Sequence, residues 1–114
     1  MNSENLWMAS ATEDLQSAKN SLANNDFRWA TFQIQQSVEK ALKAVLIKKE
    51  NKLIKIHDLV SLSSMVNLPE ESSEHCKQIT QFYTINRYPD IPKINLTKES
   101  VEEYITWAKV IIEW

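Results

Sequence analysis

Apolar residues recur at intervals of three and four along most of this chain, which is the spacing of one face of an α-helix. The first run predicts a helix over about residues 4–23, with Ser3 in the N-cap position. The second predicts a longer helix over about 26–50, starting after Asp26, and a shorter run predicts a helix over about 58–66. The core-facing stripe of the second helix consists of Phe27, Ala30, Ile34, Val38, Ala41, Leu42 and Val45.

The C-terminal half of the chain predicts two more helices. Asn67 and Glu70 stand at the spacing of a capping box with a proline between them, so a fourth helix is expected to begin here and to stop at Pro89. Residues 88–96 contain two prolines and are predicted to cross the bundle in an extended conformation. Thr97 is predicted to cap a last helix. Since no segment alternates with a period of two, we expect an all-α fold: a mostly antiparallel, up-and-down bundle of four main helices plus one short helix.

The chain contains no glycine among its 114 residues. Glycine-rich phosphate loops, dinucleotide-binding turns and nucleophile elbows need backbone conformations that only glycine adopts without strain, so these chemistries are excluded. Asparagine tolerates the left-handed conformation that ends many helices, and we expect this role for Asn24-Asn25, Asn51 and Asn67. Length and a hydrophobic content of 43% predict a single domain over residues 1–114.

Charge and cysteine content narrow the function classes further. The formal net charge is -2, so a nucleic-acid contact has to come from a local basic patch and not from the whole surface. The single cysteine, Cys76, excludes an internal disulfide and is expected to be buried and inert. With one cysteine and two histidines, we predict no metal and no other cofactor. There is no apolar run of about 18 residues and no secretory leader, so we expect a cytoplasmic protein without membrane contact.

The second predicted helix has an unusual second face opposite its core stripe. This face consists of Trp29, Phe32, Gln36, Lys40, Lys43 and Ile47. Aromatic rings beside lysines can stack on bases and neutralise phosphates, but contiguous aromatic residues also mark subunit interfaces. The last helix carries surplus aromatic residues too, so we favour a homodimer. Its predicted interface contains Trp29, Phe32, Trp107 and Trp114. Lys40 and Lys43 are either solvated charges near Glu39 or anion-binding groups.

Two short blocks lie outside the apolar stripes. His57 precedes Asp58, a good N-cap, and it either starts the short helix, makes a polar contact with the adjacent bundle or transfers protons. Arg87 closes the fourth helix, and Asp90 can pair with it across the turn that the intervening proline imposes. With Tyr88 beside it, Arg87 can equally bind a phosphate while the tyrosine stacks on a base.

Together with one further block, these residues resemble the prokaryotic HEPN domain, of the type paired with minimal nucleotidyltransferases. The further block is Ala30-x-Phe32-x-x-Gln35-Gln36-x-Val38-Glu39-Lys40-x-x-Lys43-Ala44, and it precedes His57-Asp58-Leu59 and Arg87-Tyr88-Pro89-Asp90. The resemblance covers nearly the whole chain. It implies a helical bundle that dimerises, a nucleotidyltransferase partner in a toxin–antitoxin-like system, and nucleotide or RNA binding. The candidate binding residues are Gln36, Lys40, Lys43, His57, Arg87, Tyr88 and Asp90.

Many HEPN relatives are ribonuclease toxins in which an arginine is followed, after four to six residues, by a histidine. The residues that follow Arg87 here are Tyr88, Pro89, Asp90, Ile91, Pro92, Lys93 and Ile94, without a histidine. A general acid or base of that mechanism is therefore missing, and we assign no catalytic residue. Three functions stay open: a non-catalytic binding module, which we favour, a ribonuclease that uses Arg87 with His57, and a purely structural dimer.

Overall fold

The computed structural model describes residues 3–90 and 95–114, and every regular element in them is a helix. This confirms the predicted all-α fold. In chain order the helices are α1 (Ser3–Ala23), α2 (Phe27–Glu50), α3 (Leu59–Met65), α4 (Glu70–Ile79), α5 (Phe82–Ile85) and α6 (Lys98–Glu113). Positions 91–94 of the predicted extended crossing lie outside the described residues. None of the described helices is both long enough and apolar enough to span a membrane.

Polar side chains fix the starts of three helices. At the start of α2, the carboxylate of Asp26 accepts a hydrogen bond from the Trp29 backbone N–H at 3.3 Å. Asp58 does the same for α3, accepting from the Val60 N–H at 3.1 Å. Thr97 caps α6, as predicted, and the structure shows that it does so in a reciprocal capping box with Ser100. Helix α1 already includes Ser3, so this residue is part of the helix and not its N-cap.

Three asparagines adopt the conformation that glycine supplies at the helix ends of many other proteins. Asn25, Asn51 and Asn67 have φ angles of 59°, 53° and 57°, in the left-handed region. This confirms their predicted role. The predicted capping box of the fourth helix is wrong, because Asn67 is left-handed in the turn after α3 and Pro69 stands at the N-cap of α4 without a side-chain cap.

Helix α2 occupies the centre of the bundle, with α1, α3, α4, α5 and α6 packed against it. Its middle is therefore buried on more sides than one apolar stripe requires. The buried polar residues of α2 are Thr31, Gln35, Ser37, Glu39 and Lys43. This corrects the expectation of a solvated charge at Lys43, which is only 5% exposed and whose ammonium lies 5.8 Å from the centre of the Trp7 ring on α1.

The predicted fourth helix is interrupted after Ile79. Thr80 and Gln81 keep right-handed backbone angles, but the next bonds span three residues, from Tyr83 N–H to the Thr80 carbonyl and from Thr84 N–H to the Gln81 carbonyl. The Thr80 hydroxyl oxygen accepts a hydrogen bond from the Leu59 N–H at 2.9 Å. The break thus contacts the first residue of α3, Leu59, which is also the last residue of the His57-Asp58-Leu59 block.

Candidate functional site

A buried carboxylate, that of Glu39 on α2, organises the polar centre of the molecule. Its Oε1 accepts a hydrogen bond from Gln35 Nε2 at 3.1 Å, and its Oε2 accepts one from Lys43 Nζ at 3.1 Å. His57 Nδ1 lies 3.1 Å from Oε2 and 3.2 Å from Oε1. Gln35 also donates to the backbone carbonyl of His57 at 3.2 Å. A carboxylate can be buried only with such partners, since an unpaired charge in the interior is strongly disfavoured.

The contact with Glu39 determines how His57 presents its ring. A carboxylate accepts hydrogen bonds, so in the neutral imidazole the proton sits on Nδ1 and the lone pair sits on Nε2. The side chain of His57 is 51% exposed, whereas that of Glu39 is 5% exposed. His57 therefore joins the buried network to the surface, with one nitrogen committed to the interior.

The outer part of the site is formed around the ring of Tyr83, at the start of α5. The His57 ring stacks on it with centroids 4.4 Å apart and planes inclined by 14°. The guanidinium carbon of Arg87 lies 4.9 Å from the centre of the same ring. Arg87 is exposed. Two residues that are thirty positions apart in the sequence therefore meet on one tyrosine.

A shallow cleft of about 310 Å³ opens beside this tyrosine. Its lining consists of His57, Asp58, Thr80, Gln81, Tyr83 and Thr84. The carboxylate of Asp58 is occupied in capping α3, where it also accepts a hydrogen bond from the Ser61 hydroxyl at 2.9 Å. The volume is at the lower end of the range for ligand pockets, so the cleft can hold a fragment such as one nucleobase or one ribose.

The structure links four of the seven predicted binding residues to one another. Lys43 and His57 share the Glu39 carboxylate, and His57 and Arg87 share the Tyr83 ring. The fourth predicted residue, Gln36, joins through Gln35, to whose Oε1 it donates at 2.7 Å. The charge of Lys43 is thus paired with Glu39 inside the protein, so the interpretation of Lys43 as a solvated charge is wrong.

The other three predicted residues lie outside this network. Lys40 pairs with Asp14 on α1 at 2.7 Å and donates to the Ser10 hydroxyl at 2.9 Å. Tyr88, half-exposed, and Asp90, exposed, follow Arg87 in the chain. The expected Arg87–Asp90 ion pair is not among those of the described residues, because the guanidinium lies over Tyr83 instead.

The four aromatic residues that were expected to form a dimer interface do not share one surface. Trp29, 51% exposed, stacks on Phe32 near the start of α2. Trp114, 52% exposed, lies near the end of α2, where the ammonium of Lys49 is 5.8 Å from its ring centre. The helix rise places positions 29 and 49 roughly 30 Å apart along α2. Trp107 is engaged within the chain, because it stacks on His75 with centroids 4.0 Å apart.

Sequence reasoning missed Glu39, Gln35 and Tyr83 as site residues. One signal was present: Gln35, Glu39 and Lys43 recur every four residues, which puts three polar side chains on one line of a helix. Tyr83 continues the apolar spacing of the predicted fourth helix, so the sequence favours a core position for it, and only the fold shows that its ring contacts His57 and Arg87. Among the described residues, no three histidine, cysteine, aspartate or glutamate side chains are grouped so as to hold a metal ion.

Comparisons with known proteins identify relatives of the whole chain. The model of the HEPN domain family matches residues 5–114. The crystal structure of TT1696 from Thermus thermophilus is similar over 99% of this chain and 95% of that chain, with 29% identity and a TM-score of 0.89. The crystal structure of ST0689, an archaeal HEPN homologue, is similar over 100% of this chain and 95% of that chain, with 26% identity and a TM-score of 0.83. A comparison with curated proteins found no significant match.

Proposed function

Because the chain belongs to the HEPN domain family, we propose that it is a nucleotide- or RNA-binding module that does not itself cleave RNA. In this proposal it acts as a homodimer together with a minimal nucleotidyltransferase, in a toxin–antitoxin-like system. The binding part of the proposal rests on one observation: His57 and Arg87 both contact the Tyr83 ring, beside a polar cleft.

The chemistry of these side chains suits a nucleotide. The guanidinium of Arg87 has N–H groups in a planar fork, which matches two oxygens of a phosphate. The stacked rings of His57 and Tyr83 offer an aromatic edge and face to a base. Tyr88 and Asp90 extend the site beyond Arg87, as a second ring and as an acceptor for a ribose hydroxyl. Gln36 and Lys43 support it from behind through the Glu39 network, and Lys40 holds α1 against α2.

The dimer part of the proposal rests on the apolar end of α6. Val110 and Trp114 are 54% and 52% exposed there. Trp114 also lines a groove of about 270 Å³ between α1, α2 and α6, whose walls include Met8, Val45 and Ile112 and, at its rim, charged residues such as Lys48. Exposed large apolar side chains of this kind, with polar groups around them, are typical of surfaces that a second subunit covers. We therefore place the homodimer contact at this end of the molecule.

Replacing the arginine tests the binding site directly. We expect Arg87→Ala to weaken the binding of a nucleotide or of single-stranded RNA by about 1–3 kcal/mol, as is typical of a lost charge-assisted hydrogen bond. Isothermal titration measures this loss, and circular dichroism checks that the helix content is unchanged. Lys109→Ala, which removes an exposed charge from α6, is the matched control and should bind like the wild type. Wild-type protein that binds no nucleotide or RNA would leave only the structural dimer.

One observation favours a second function, RNA cleavage without a metal. The Glu39 carboxylate holds His57 as the triad carboxylate of a hydrolase holds its histidine, with Nε2 available as a base. Cleavage also needs a group that protonates the leaving oxygen, and residues 88–94 contain no histidine for that role. We expect no cleavage of single-stranded RNA above a buffer control. Cleavage that disappears in both Arg87→Ala and His57→Ala, with folding intact, would establish the ribonuclease instead.

A further inference from the structure

A second arginine reaches the corner of the molecule that contains Arg87. Arg28, in the first turn of α2, donates from Nη2 to the backbone carbonyl of Asn86 at 2.9 Å. The side chain of Asn86 in turn donates to the Thr31 hydroxyl at 3.0 Å. These two bonds fasten the end of α5 to the start of α2, although the residues are more than fifty positions apart.

The consequence is a pair of neighbouring arginines. The carbonyl of Asn86 belongs to the peptide unit that leads into Arg87, so standard bond lengths place Arg28 Nη2 within about 7 Å of the Arg87 Cα. Both arginines are exposed. The bond to Asn86 takes one of the five N–H groups of Arg28, so the guanidinium keeps donors for a phosphate. Asp26, the acid closest to Arg28 in the sequence, is the N-cap of α2 and accepts a hydrogen bond from the Trp29 N–H.

An aromatic surface adjoins the second arginine. Trp29 is 51% exposed, and its ring stacks on Phe32 with centroids 5.3 Å apart and planes inclined by 11°. A hollow of about 290 Å³ is lined by Asp26, Arg28 and Trp29. The Arg28–Trp29 surface therefore resembles the first site. In each, an arginine lies beside an aromatic ring that stacks on a second ring.

We propose that these two positions form one continuous binding track, and that its ligand is a single-stranded oligonucleotide of at least two nucleotides. One base lies in the cleft at His57 and Tyr83, the phosphates lie against Arg87 and Arg28, and a second base stacks on Trp29. This rests on the proposed function and names its ligand class. A mononucleotide cannot contact both rings and both arginines, and a duplex keeps its bases stacked inside, so a single strand fits best.

Fluorescence anisotropy with labelled hexamers tests the track. The probes are a six-nucleotide oligouridylate and the DNA hexamer of thymidine, with uridine monophosphate as a competitor. We expect the RNA hexamer to bind at least about tenfold more tightly than the mononucleotide. A matching affinity for the DNA hexamer means that the track reads bases and phosphates, whereas a weaker one means that it also reads the 2′-hydroxyl; both support a single strand.

Substitutions at two positions, 28 and 29, test the new half of the track. Trp29→Ala should weaken hexamer binding about fivefold to a hundredfold, and Trp29→Phe, which keeps an aromatic face, should retain most of the affinity. Arg28→Ala should reduce the slope of log affinity against log salt concentration by about 0.7, the value for one phosphate contact on a single strand. Arg28→Lys keeps the charge and should keep the slope. Thermal unfolding of each variant separates a binding effect from a loss of folding.

The possible failures are distinguishable. If Arg87→Ala weakens hexamer binding while Trp29→Ala and Arg28→Ala do not, or if the mononucleotide binds as tightly as the hexamer, the track is wrong and the proposed function stands. If the wild type binds none of the probes, both are wrong. If Trp29→Ala converts a dimer into a monomer in light scattering without changing hexamer affinity, this surface is a subunit interface and the track is again wrong.

Discussion

The buried carboxylate of Glu39 contacts the ammonium of Lys43, the ring of His57 and the side-chain amide of Gln35. Glu39→Ala would leave the ammonium of Lys43, whose side chain is 6% exposed, without a counter-charge. Breaking a buried pair from one side costs about 3–5 kcal/mol, so we expect the free energy of unfolding in urea to fall by about that amount. Glu74→Ala, which removes the exposed pair with Lys77, is the matched control and should unfold like the wild type. Equal effects of the two substitutions would contradict the role given to the buried network.

Cys76 provides a pH-dependent prediction. Burial, together with the negative charge of Asp58, raises the pKa of its thiol from 9.0 to about 12. The unfolded chain therefore ionises this thiol first, so the contribution of Cys76 to the free energy of unfolding should be constant well below pH 9 and fall as the pH rises from 9 towards 12.

The same thiol should resist chemical modification in the folded protein. Only the thiolate reacts with iodoacetamide, so at about pH 8.5 native protein should be alkylated far more slowly than the same protein in urea. Glutathione serves as the exposed-thiol control in both solvents. Alkylation of native protein at the rate of glutathione would show that Cys76 is not buried as described.

The residues of the site differ in how far sequence could predict them. His57 and Arg87 stand in short blocks outside the apolar stripes, so the sequence alone was enough to select them as candidate site residues. Glu39 resembles an ordinary solvated helix residue beside Lys40 and Lys43. Its burial depends on α1 and on the segment before α3 packing against α2, which are contacts between residues 18 or more positions apart. No local pattern encodes them.

At the scale of elements, the helices followed from the spacing of apolar residues and the interruption after Ile79 did not. The stripe that contains Ile79 and Phe82 continues through the break, so the sequence favours one helix there. At the break, the Thr80 hydroxyl accepts a hydrogen bond from the Leu59 N–H, 21 positions away, and a contact at that distance cannot be read from the local sequence. The interruption shapes the proposed site, because Tyr83 lies on the short helix that follows it and Arg87 comes just after the end of that helix.

The helix ends offer a prediction at this scale. Asn51 ends α2 in the left-handed conformation, with φ 53° and ψ 38°. Asn51→Ala should lower the free energy of unfolding by about 1 kcal/mol, because a Cβ-bearing residue without a local polar contact is strained there, whereas Asn51→Gly should not. Thermal unfolding should show a drop of a few degrees for the alanine variant alone. Asn20→Ala, inside the right-handed α1, is the control and should be neutral or slightly stabilising. Equal stability of the alanine and glycine variants at position 51 would contradict this.

At the scale of the whole molecule, the position of α2 explains why surface features were harder to predict than the fold. A central helix buries several faces, so polar residues on α2 need not mark its solvent side. The distance between Trp29 and Trp114 follows from helix length: roughly 30 Å along α2 is most of the longest dimension of the molecule, 38 Å. The aromatic residues that the sequence suggested as one interface therefore lie at two ends of the molecule. We propose an oligonucleotide as the partner of the Trp29 end and a second copy of the chain as the partner of the Trp114 end.

The last prediction concerns the assembly. We expect light scattering after size-exclusion chromatography to give a mass of about twice 13.3 kDa, because the apolar end of α6 is best covered by a second copy of the chain. Val110→Glu places a charge on this surface and should produce a monomer at tens of micromolar. Val60→Glu makes the same change on an exposed valine (37% against 54% for Val110) at the start of α3, beside the cleft lined by His57 and Asp58, so it should remain dimeric. A wild-type monomer at the same concentration, or dissociation by both variants alike, would remove the reason for placing the contact at Val110 and Trp114.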